Sequence, residues 1–278
     1  MDNLLKKRLA LIKSRAKQLA QPHRPHRPAT VGVEPLALAG AAPGTERVVE
    51  GERFYLIHVT GGAIAADAPS VAERFLKISE RRTWPLISLI QDPGPDMATR
   101  IRNDEICFLD IETTGLSPST YVFLCGLMYV EDRRFVVEQL FARDYSEEKG
   151  MLLHLRDVVG RYPMIVTFNG SGFDVPFLRI RMAVTRVEAV TPFEHVDLFD
   201  TAKEHFADVL ADCKLETIER HLRGFKRRGD ISGWEIPQAY HEFVRTGDAG
   251  DIRRILYHNR MDLLAMAYLV NYLADRHR

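Results

Sequence analysis

Two acidic side chains lie two positions apart at the end of a predicted strand. In the segment ICFLDIE, Asp110 and Glu112 alternate with apolar residues, so the period of a strand directs both carboxylates to one face of a sheet. Adjacent negative charges on an apolar strand repel each other unless cations or protons neutralise them. Hard oxygen ligands favour Mg²⁺ or Mn²⁺ over zinc. The alternative is a polar strand end that faces water.

A third carboxylate, Asp174, follows the predicted strand MIVTFN through a glycine-containing turn and starts a helix. One interpretation is that Asp174 caps the helix and has no catalytic role. Binding sites, however, gather at the carboxyl ends of strands in α/β sheets, and Asp110, Glu112 and Asp174 all lie at such ends. The coincidence favours one shared site. Asn169, beside the turn glycines, is a candidate substrate contact or an ordinary turn residue.

The last predicted helix brings a histidine and an aspartate onto one face. His258 precedes Asp262 by four residues, which is about 40° around a helix that turns 100° per residue. Tyr257 lies one residue earlier, about 140° from Asp262, and points elsewhere. Alone, such a pair is typical of a surface contact. With the other three carboxylates it becomes a candidate catalytic face.

These residues lie on elements that predict a layered α/β fold. Three predicted strands form an antiparallel meander, over 106–112, 121–130 and 133–142, with a tight turn at Glu131–Asp132. A helix over 147–162, a strand over 164–169 and a helix over 173–184 follow, which implies parallel strands in a mixed sheet. The remaining predicted elements are helices, over 199–210, 214–223, 237–246 and 251–275.

The segments before this region are predicted to be less regular. Residues 1–20 have a basic amphipathic pattern that favours a helix, and the Pro-, Ala- and Gly-rich segment 21–46 predicts a flexible linker. Within 47–104 we expect a strand at 52–58 and a short helix over Ser70–Ile78 capped by its serine. We expect 47–104 to be a small extension packing on a core domain of residues 105–278.

Composition limits the class of protein. The chain has 278 residues, 46% of them hydrophobic and 27% charged, which predicts a soluble α/β protein with an appendage. Because no apolar run resembles a membrane span or signal peptide, we expect a cytoplasmic protein without membrane association. Three cysteines without a CxxC pair predict reduced core residues, namely Cys107, Cys125 and Cys213. Composition does not define an oligomeric state.

The formal net charge is +0, so a nucleic-acid partner must be argued from local charge. Residues 1–28 carry eight basic side chains against Asp2 alone, which is typical of either a solvated helix and tail or a phosphate-binding arm. A second basic run, RHLRGFKRRGD, surrounds Phe225. Its candidate substrate-binding residues are Arg223, Lys226, Arg227 and Arg228. A charged helix end and loop is the equal alternative.

Together, FLDIETTGL, TFNGSGFDVPFL and YHNRMDLLAM resemble the three exonuclease motifs of the DEDD superfamily, and in detail the YprB-type ribonuclease H-like domain. The resemblance covers about residues 105–275 and includes TYVFLCGL, HVDLFDTAK and CKLETIERHL. It implies a mixed sheet flanked by helices and two divalent ions, Mg²⁺ or Mn²⁺. Asp110 would bridge both ions, Glu112 and Asp262 would complete the shell of one, and Asp174 would hold the other.

The same resemblance implies that His258 is the general base, a task suited to a side chain that titrates near neutral pH. The chain departs from the family here. The histidine branch has HxxxxD and the tyrosine branch YxxxD, whereas this sequence has HxxxD, and Tyr257 is kept as a minor candidate. Thr113, Gly115 and Leu116 match a segment that contacts the terminal nucleotide in relatives, where Leu116 could wedge against a base.

The expected activity is a 3′–5′ exonuclease that degrades DNA or RNA by two-metal hydrolysis. A single-stranded or frayed 3′ end is the expected substrate, because a terminal phosphodiester must be splayed into the cleft. Two alternatives remain: an endonuclease on the same scaffold, or a nucleic-acid-binding protein with an idle site. The presence of all four carboxylates argues against the idle site.

Overall fold

The computed structural model describes residues 42–79, 102–189 and 194–276. Seven strands in these segments form one sheet in the order β1-β2-β5-β4-β3-β6-β7. The strands are β1 (Thr45–Val49), β2 (Glu52–Thr60), β3 (Ile106–Thr113), β4 (Val122–Glu131), β5 (Arg134–Phe141), β6 (Met164–Thr167) and β7 (Glu194–Asp197). The pairs β1-β2, β2-β5, β5-β4 and β4-β3 are antiparallel, and the pairs β3-β6 and β6-β7 are parallel. The predicted meander and mixed sheet are therefore confirmed.

Two-residue turns close the two hairpins of the sheet. Asp132 and Arg133, with φ of 47° and 61°, connect β4 to β5. Both residues adopt the left-handed conformation that a two-residue hairpin turn needs, so the turn lies one residue after the predicted Glu131–Asp132. Glu50 and Gly51, with φ of 52° and 83°, make the equivalent turn between β1 and β2.

The segment before residue 105 contributes to the same sheet. β2 pairs with β5, and β1 adds the edge strand. The linker predicted over 21–46 is therefore wrong at its end, because Thr45 and Glu46 belong to β1. This strand was missed because its pattern, TERVV, is exposed along most of its length. The predicted helix over 1–20 and most of the linker lie outside the described residues.

Seven α-helices in the described segments flank the sheet. They are α1 (Ala68–Ser79), α2 (Glu148–Val159), α3 (Asp174–Thr185), α4 (Leu198–Phe206), α5 (Leu215–Arg223), α6 (Ile236–Thr246) and α7 (Gly250–Arg276). The predicted cap of α1 is wrong: Ser70 lies inside the first turn, and its hydroxyl donates to the Asp67 carbonyl at 2.8 Å. α4 ends at Phe206, four residues before the predicted 210.

Alternating residues of β3 supply both hydrophobic cores. Cys107, Leu109 and Ile111 belong to the core on one face, and Ile106 and Phe108 belong to the core on the other. Because side chains alternate along a strand, the series that begins with Ile106 and Phe108 continues to the two acidic positions at the end of β3. The carboxylates therefore lie beyond the edge of a packed core.

Helix α7 crosses the sheet in close contact with β4. A Cβ atom built on Gly126 would lie 2.2 Å from the Asn259 Oδ1, so only glycine permits this approach. Asn259 is fully buried at the crossing. Because His258 and Asp262 lie on the same helix, the crossing brings them over the end of β3.

The described segments contain all three cysteines. Cys107 and Cys125 are buried and Cys213 is half-buried, and all three are free thiols. The predicted core position is confirmed for Cys107 and Cys125 and is wrong for Cys213. Among the described helices, none has the length and apolarity that a membrane crossing needs.

Candidate active site

The acidic pair lies where β3 loses its parallel neighbour. The β3-β6 register ends at Phe108 and Val166, and β3 continues beyond it. Asp110 and Glu112 occupy this extension and are half-buried. The pairing of β3 with β4 becomes irregular directly after Glu112. The two carboxylates therefore lie at the mouth of a cleft beyond the end of β6.

Asp174 reaches this cleft from α3. It is buried, and its Oδ1 accepts a hydrogen bond from the Ile111 backbone N–H at 3.2 Å. The donor lies between Asp110 and Glu112 in sequence, on the part of β3 that β6 no longer covers. Asp174 is the first residue of α3, with Phe173 in the cap position, so the alternative role of helix cap does not apply. Asp174 thus lies against the stretch of β3 that carries Asp110 and Glu112.

An acidic residue outside the four predicted ligands holds the loop before α3. Asp197, at the end of β7, accepts backbone hydrogen bonds from Asn169 at 2.6 Å and Ser171 at 2.8 Å. The same carboxylate caps α4 through the Phe199 N–H at 3.1 Å. Asn169 adopts a left-handed φ of 62°. Asp197 therefore fixes the turn that directs Asp174 toward β3.

His258 bridges two aspartates, one on α7 and one in the loop before α6. Its Nδ1 lies 3.0 Å from Asp230 Oδ1, and its Nε2 lies 3.4 Å from Asp262 Oδ2. The bond with Asp230 fixes the ring orientation and leaves Nε2 directed toward the carboxylate cleft. The histidine and Asp262 share a face of α7, as predicted from their spacing. Asp230 was missed because nothing in the sequence places its loop against α7.

Arg227 is part of the site and not an exposed phosphate ligand. Its NH2 donates to Asp262 Oδ1 at 2.6 Å, and its side chain also pairs with Glu219 and Asp230. Arg227 is buried, at 6% exposure. This corrects the expectation that all four basic residues of the RHLRGFKRRGD run face substrate.

Arg223 requires the same correction. Its guanidinium pairs with Glu219 and with Asp67 at 2.9 Å, so both of its terminal amino groups already have carboxylate partners. Lys226 and Arg228 are exposed, and their role in binding substrate stays a prediction. The inward orientation of Arg223 and Arg227 could not be read from the sequence, because it depends on the position of Glu219 on α5.

Asn259 is a further residue that sequence reasoning missed. Its Nδ2 donates to Asp110 Oδ2 at 2.8 Å, and its Oδ1 accepts from Gln139 Nε2 at 2.9 Å. Gln139 also donates to the Leu256 carbonyl at 2.7 Å, which fixes the orientation of both amides. The one signal in the sequence is Gly126, a glycine within the apolar strand VFLCGLM.

The four carboxylates influence one another electrostatically. Burial and the charges of Asp262, Glu112 and Asp174 raise the pKa of Asp110 well above its usual range. Burial, aided by Asp262, raises the pKa of Glu112 to about 8 against the opposing charge of His258. Burial raises the pKa of Asp174 to about 7, although the N–H groups of Ile111 and Asp174 itself oppose this. Asp110, Glu112 and Asp174 therefore resist ionisation while their neighbours are charged.

The basic partners of this cluster are held in their charged forms. Burial alone would lower the pKa of His258, but the hydrogen bond with Asp230 and the charges of Asp262 and Glu112 raise it to about 10. Burial likewise opposes the charge of Arg227, while Asp262 and Glu219 raise its pKa. Arg227 and protonated His258 thus contribute two positive charges beside four carboxylates.

The donor set suits hard divalent cations. All four predicted ligands offer carboxylate oxygens, the preference of Mg²⁺ and Mn²⁺. In the arrangement described for residues 42–79, 102–189 and 194–276, no three acidic, His or Cys side chains converge at metal-ligand spacing. Arg227 donates to Asp262 and Asn259 donates to Asp110, so one oxygen of each of these carboxylates already has a protein partner. Four acidic groups beside two basic side chains nonetheless fit a site for added cations.

The loop after β3 carries the three predicted nucleotide contacts. The Thr113 hydroxyl donates to the Gly115 carbonyl at 2.8 Å, and Thr120 donates to the same carbonyl at 3.2 Å. These bonds hold a tight loop whose tip exposes Leu116 to 89%. Such an exposed leucine at the rim of the cleft is free to contact a ligand.

The sequence matches known proteins over the part that forms this site. The family model RNase_H_2, described as the RNase_H superfamily, matches residues 107–274, which is more than half of the chain. The uncharacterized protein YprB of Bacillus subtilis is 28% identical over 178 residues, covering 62% of this chain and 43% of that protein. DNA polymerase 1 of Aeropyrum pernix is 44% identical over 165 residues, covering 50% and 17%.

A third relative matches this chain over most of its own length. The uncharacterized protein MJ0365 of Methanocaldococcus jannaschii is 27% identical over 173 residues, covering 60% of this chain and 94% of that protein. The chain spans less than half the length of the first two relatives. The similarity therefore concerns the domain that carries the carboxylates, not the whole of the longer proteins.

Proposed function

The chain belongs to the ribonuclease H superfamily, and from that premise we propose that it is a metal-dependent 3′–5′ exonuclease. Its ribonuclease H-like fold and its similarity to a protein named DNA polymerase 1 support a nuclease that acts on nucleic acid. The observation that carries the proposal is the meeting of Asp174 with the Asp110–Glu112 strand through the Ile111 N–H. This contact joins two distant motifs into one acidic cleft.

The four carboxylates are proposed to hold two divalent cations, Mg²⁺ or Mn²⁺. Asp110 would serve both ions, with Glu112 and Asp262 on one and Asp174 on the other. When bound, such ions activate a water molecule and stabilise the charge that develops on the attacking and leaving oxygens. Their positive charge would also offset the repulsion that raises the pKa values of Asp110 and Glu112.

His258 is proposed to accept the proton of the attacking water. The ring is oriented by Asp230, and its Nε2 faces the carboxylates. With the carboxylates uncompensated, its pKa of about 10 keeps the ring protonated and unable to act as a base. Neutralising Asp262 and Glu112 removes two of the charges that raise this pKa, while the hydrogen bond with Asp230 remains, so cation binding favours base activation.

Substrate is proposed to be single-stranded or frayed DNA or RNA. Cleavage at a terminal phosphodiester requires the last nucleotide to enter the cleft away from a partner strand. Thr113, Gly115 and the exposed Leu116 are proposed to line the rim at which that nucleotide would enter, with Asn169 as a further contact. Leu116 would contact the terminal base.

The test compares Asp110→Asn with Asp132→Asn. Asp110→Asn should abolish Mn²⁺-dependent cleavage of a 5′-labelled single strand, whereas Asp132→Asn, in the exposed β4-β5 turn, should cleave like wild type. Single-nucleotide laddering from the 3′ end on a denaturing gel supports an exonuclease, and internal cuts support an endonuclease. Unchanged cleavage by Asp110→Asn would reject the site.

A further inference from the structure

A short loop after α5 projects three side chains away from the protein and one into it. Gly224 and Gly229, with φ of 75° and 73°, bound this loop, residues 224–229, and both adopt a conformation that other residues rarely take. Between them, Phe225, Lys226 and Arg228 are exposed and Arg227 is buried. The buried arginine anchors the loop and leaves its neighbours facing solvent.

Phe225 is held in place although it is exposed. Its relative exposure is 52%, so the ring is not a core residue. The Arg223 guanidinium lies 4.3 Å from the ring centroid, and Glu219 and Asp67 fix that guanidinium. A cation that is itself ion-paired therefore supports one side of an exposed aromatic ring. An aromatic ring positioned in this way can stack with a planar ligand.

The loop borders an open cavity of about 670 Å³. It is lined by Phe225, Lys226, Arg227, Arg228 and Tyr257. Ligand cavities typically measure about 300–1,000 Å³, so this one is large enough for a nucleotide. Two aromatic rings beside exposed cations are the combination by which proteins bind single-stranded nucleic acid, through base stacking and phosphate contacts.

The cavity adjoins the carboxylate cleft. Arg227 lines the cavity and also donates to Asp262 at 2.6 Å, so one side chain joins the two. Tyr257 lines the cavity directly before His258 on α7. A strand whose end is in the cleft would pass this cavity within about one side-chain length.

We propose that the cavity bordered by residues 224–229 is a binding subsite for an internal nucleotide of the single-stranded substrate. One base stacks on Phe225, and Lys226 and Arg228 contact the adjacent phosphates. This subsite rests on the proposed function. It selects single strands, because a base within a duplex has both faces covered by its neighbours and offers none to the ring.

The subsite can be tested by binding without cleavage. In an Asp110→Asn background, anisotropy of a labelled oligothymidine is measured for Phe225→Leu, for the pair Lys226→Gln and Arg228→Gln, and for the control Lys203→Gln on α4. Phe225→Leu should weaken binding about 5- to 150-fold, the effect of losing one stacked base. The paired change should reduce the slope of log affinity against log salt by about 1.4, or about 0.7 for each phosphate that is no longer neutralised. Lys203→Gln should leave both quantities unchanged.

The outcomes separate the subsite from the proposed function. If wild-type protein cleaves single strands but the three changes in the loop leave affinity and salt slope unchanged, the subsite is wrong and the nuclease stands. If wild type neither binds nor cleaves, both proposals fail. A blunt duplex should bind more weakly than the oligothymidine, and equal binding would also overturn the subsite. Thermal unfolding of each variant shows whether the fold is retained; if Phe225→Leu is unfolded, the paired cation change decides.

Discussion

Two groups of buried acidic residues in this domain are neutralised in different ways. Glu148, at the start of α2, accepts two hydrogen bonds from Arg181, at 2.8 and 2.5 Å, and one from the Val122 N–H at 2.9 Å. In the carboxylate cleft, Asp110 and its three acidic neighbours have, within the described segments, only Arg227 and His258 as cations. Glu148 is balanced by one cation, whereas the cleft has more acidic groups than basic side chains.

The difference distinguishes a structural role from a functional one. A buried ion pair with complete hydrogen bonding is satisfied by the protein itself. A cluster with more acidic groups than cations raises the pKa of its own members and is stabilised by added cations. Burial of an acidic side chain therefore says little about function until its partners are counted.

Removing His258 should have the largest effect, which is a loss of turnover. His258→Ala deletes one cation of the cleft and the proposed base, and should slow turnover by about 10²- to 10⁴-fold in single-turnover assays. Tyr257→Phe, one residue away, is the control for the minor candidate base and should retain activity. A loss below about tenfold for His258→Ala would shift the role of base to Tyr257 or to bulk water.

Breaking the balanced pair should affect stability instead of chemistry. Glu148→Gln leaves Arg181 buried without a charged partner, and should lower the free energy of unfolding by about 3–5 kcal/mol in urea titrations. Glu131→Gln, at an exposed strand end, should change it by less than about 0.5 kcal/mol. Activity per folded molecule should be unchanged in both variants. A stable Glu148→Gln protein would remove the contrast between the two groups.

Asn259 allows a finer test, because it positions a carboxylate without offering a charge. Asn259→Ala removes the donor to Asp110 and should weaken Mn²⁺ binding about 10- to 100-fold, the usual cost of losing a residue that orients a metal ligand. Isothermal titration with Mn²⁺ measures this directly. Asn271 lies elsewhere on α7 and donates a hydrogen bond to the Val71 carbonyl. Asn271→Ala loses this bond and should retain wild-type affinity for Mn²⁺. Equal losses in both would indicate a general effect on α7.

The last prediction is a pH dependence of stability in chelator. Folded Glu112 and Asp174, with pKa values of about 8 and 7, retain protons that the unfolded chain releases near pH 4, so ionising them costs stability as pH rises. His258 stabilises the fold fully below about pH 6.5 and loses that contribution as pH rises through about 10. Both trends predict falling stability from about pH 5 to 10.

Thermal unfolding across this pH range, with and without Mn²⁺, measures the effect. Cations favour the ionised carboxylates, so Mn²⁺ should flatten the decline. Asp110→Asn, which removes one repelling charge, should also show a shallower decline in chelator than wild type. A stability that rises with pH in the metal-free protein would contradict the raised pKa values of Glu112, Asp174 and His258.

The sequence predicts the ligands of the cleft better than their surroundings. Asp110 and Glu112 follow from the period of a strand, and His258 with Asp262 from the period of a helix; both periods are local properties. The contact of Asp174 with β3 was expected only from the rule that sites gather at strand ends. These positions required no knowledge of side-chain packing.

The residues that orient the ligands could not be predicted in this way. Asn259 and Asp230 act through partners that are 149 and 28 residues away in sequence, and no local pattern distinguishes either residue. The inward turn of Arg227 depends on Glu219 in the preceding helix. β7 was missed because it is only four residues long and largely half-buried, which gives too short a pattern to recognise.

The absence of a side chain at Gly126 lets the amide of Asn259 lie directly against β4. Any Cβ atom at this position would meet that amide, so the Asn259 side chain would have to move away from Gln139 and Asp110. A residue with no chemistry of its own thus decides whether an amide on α7 can reach a carboxylate on β3.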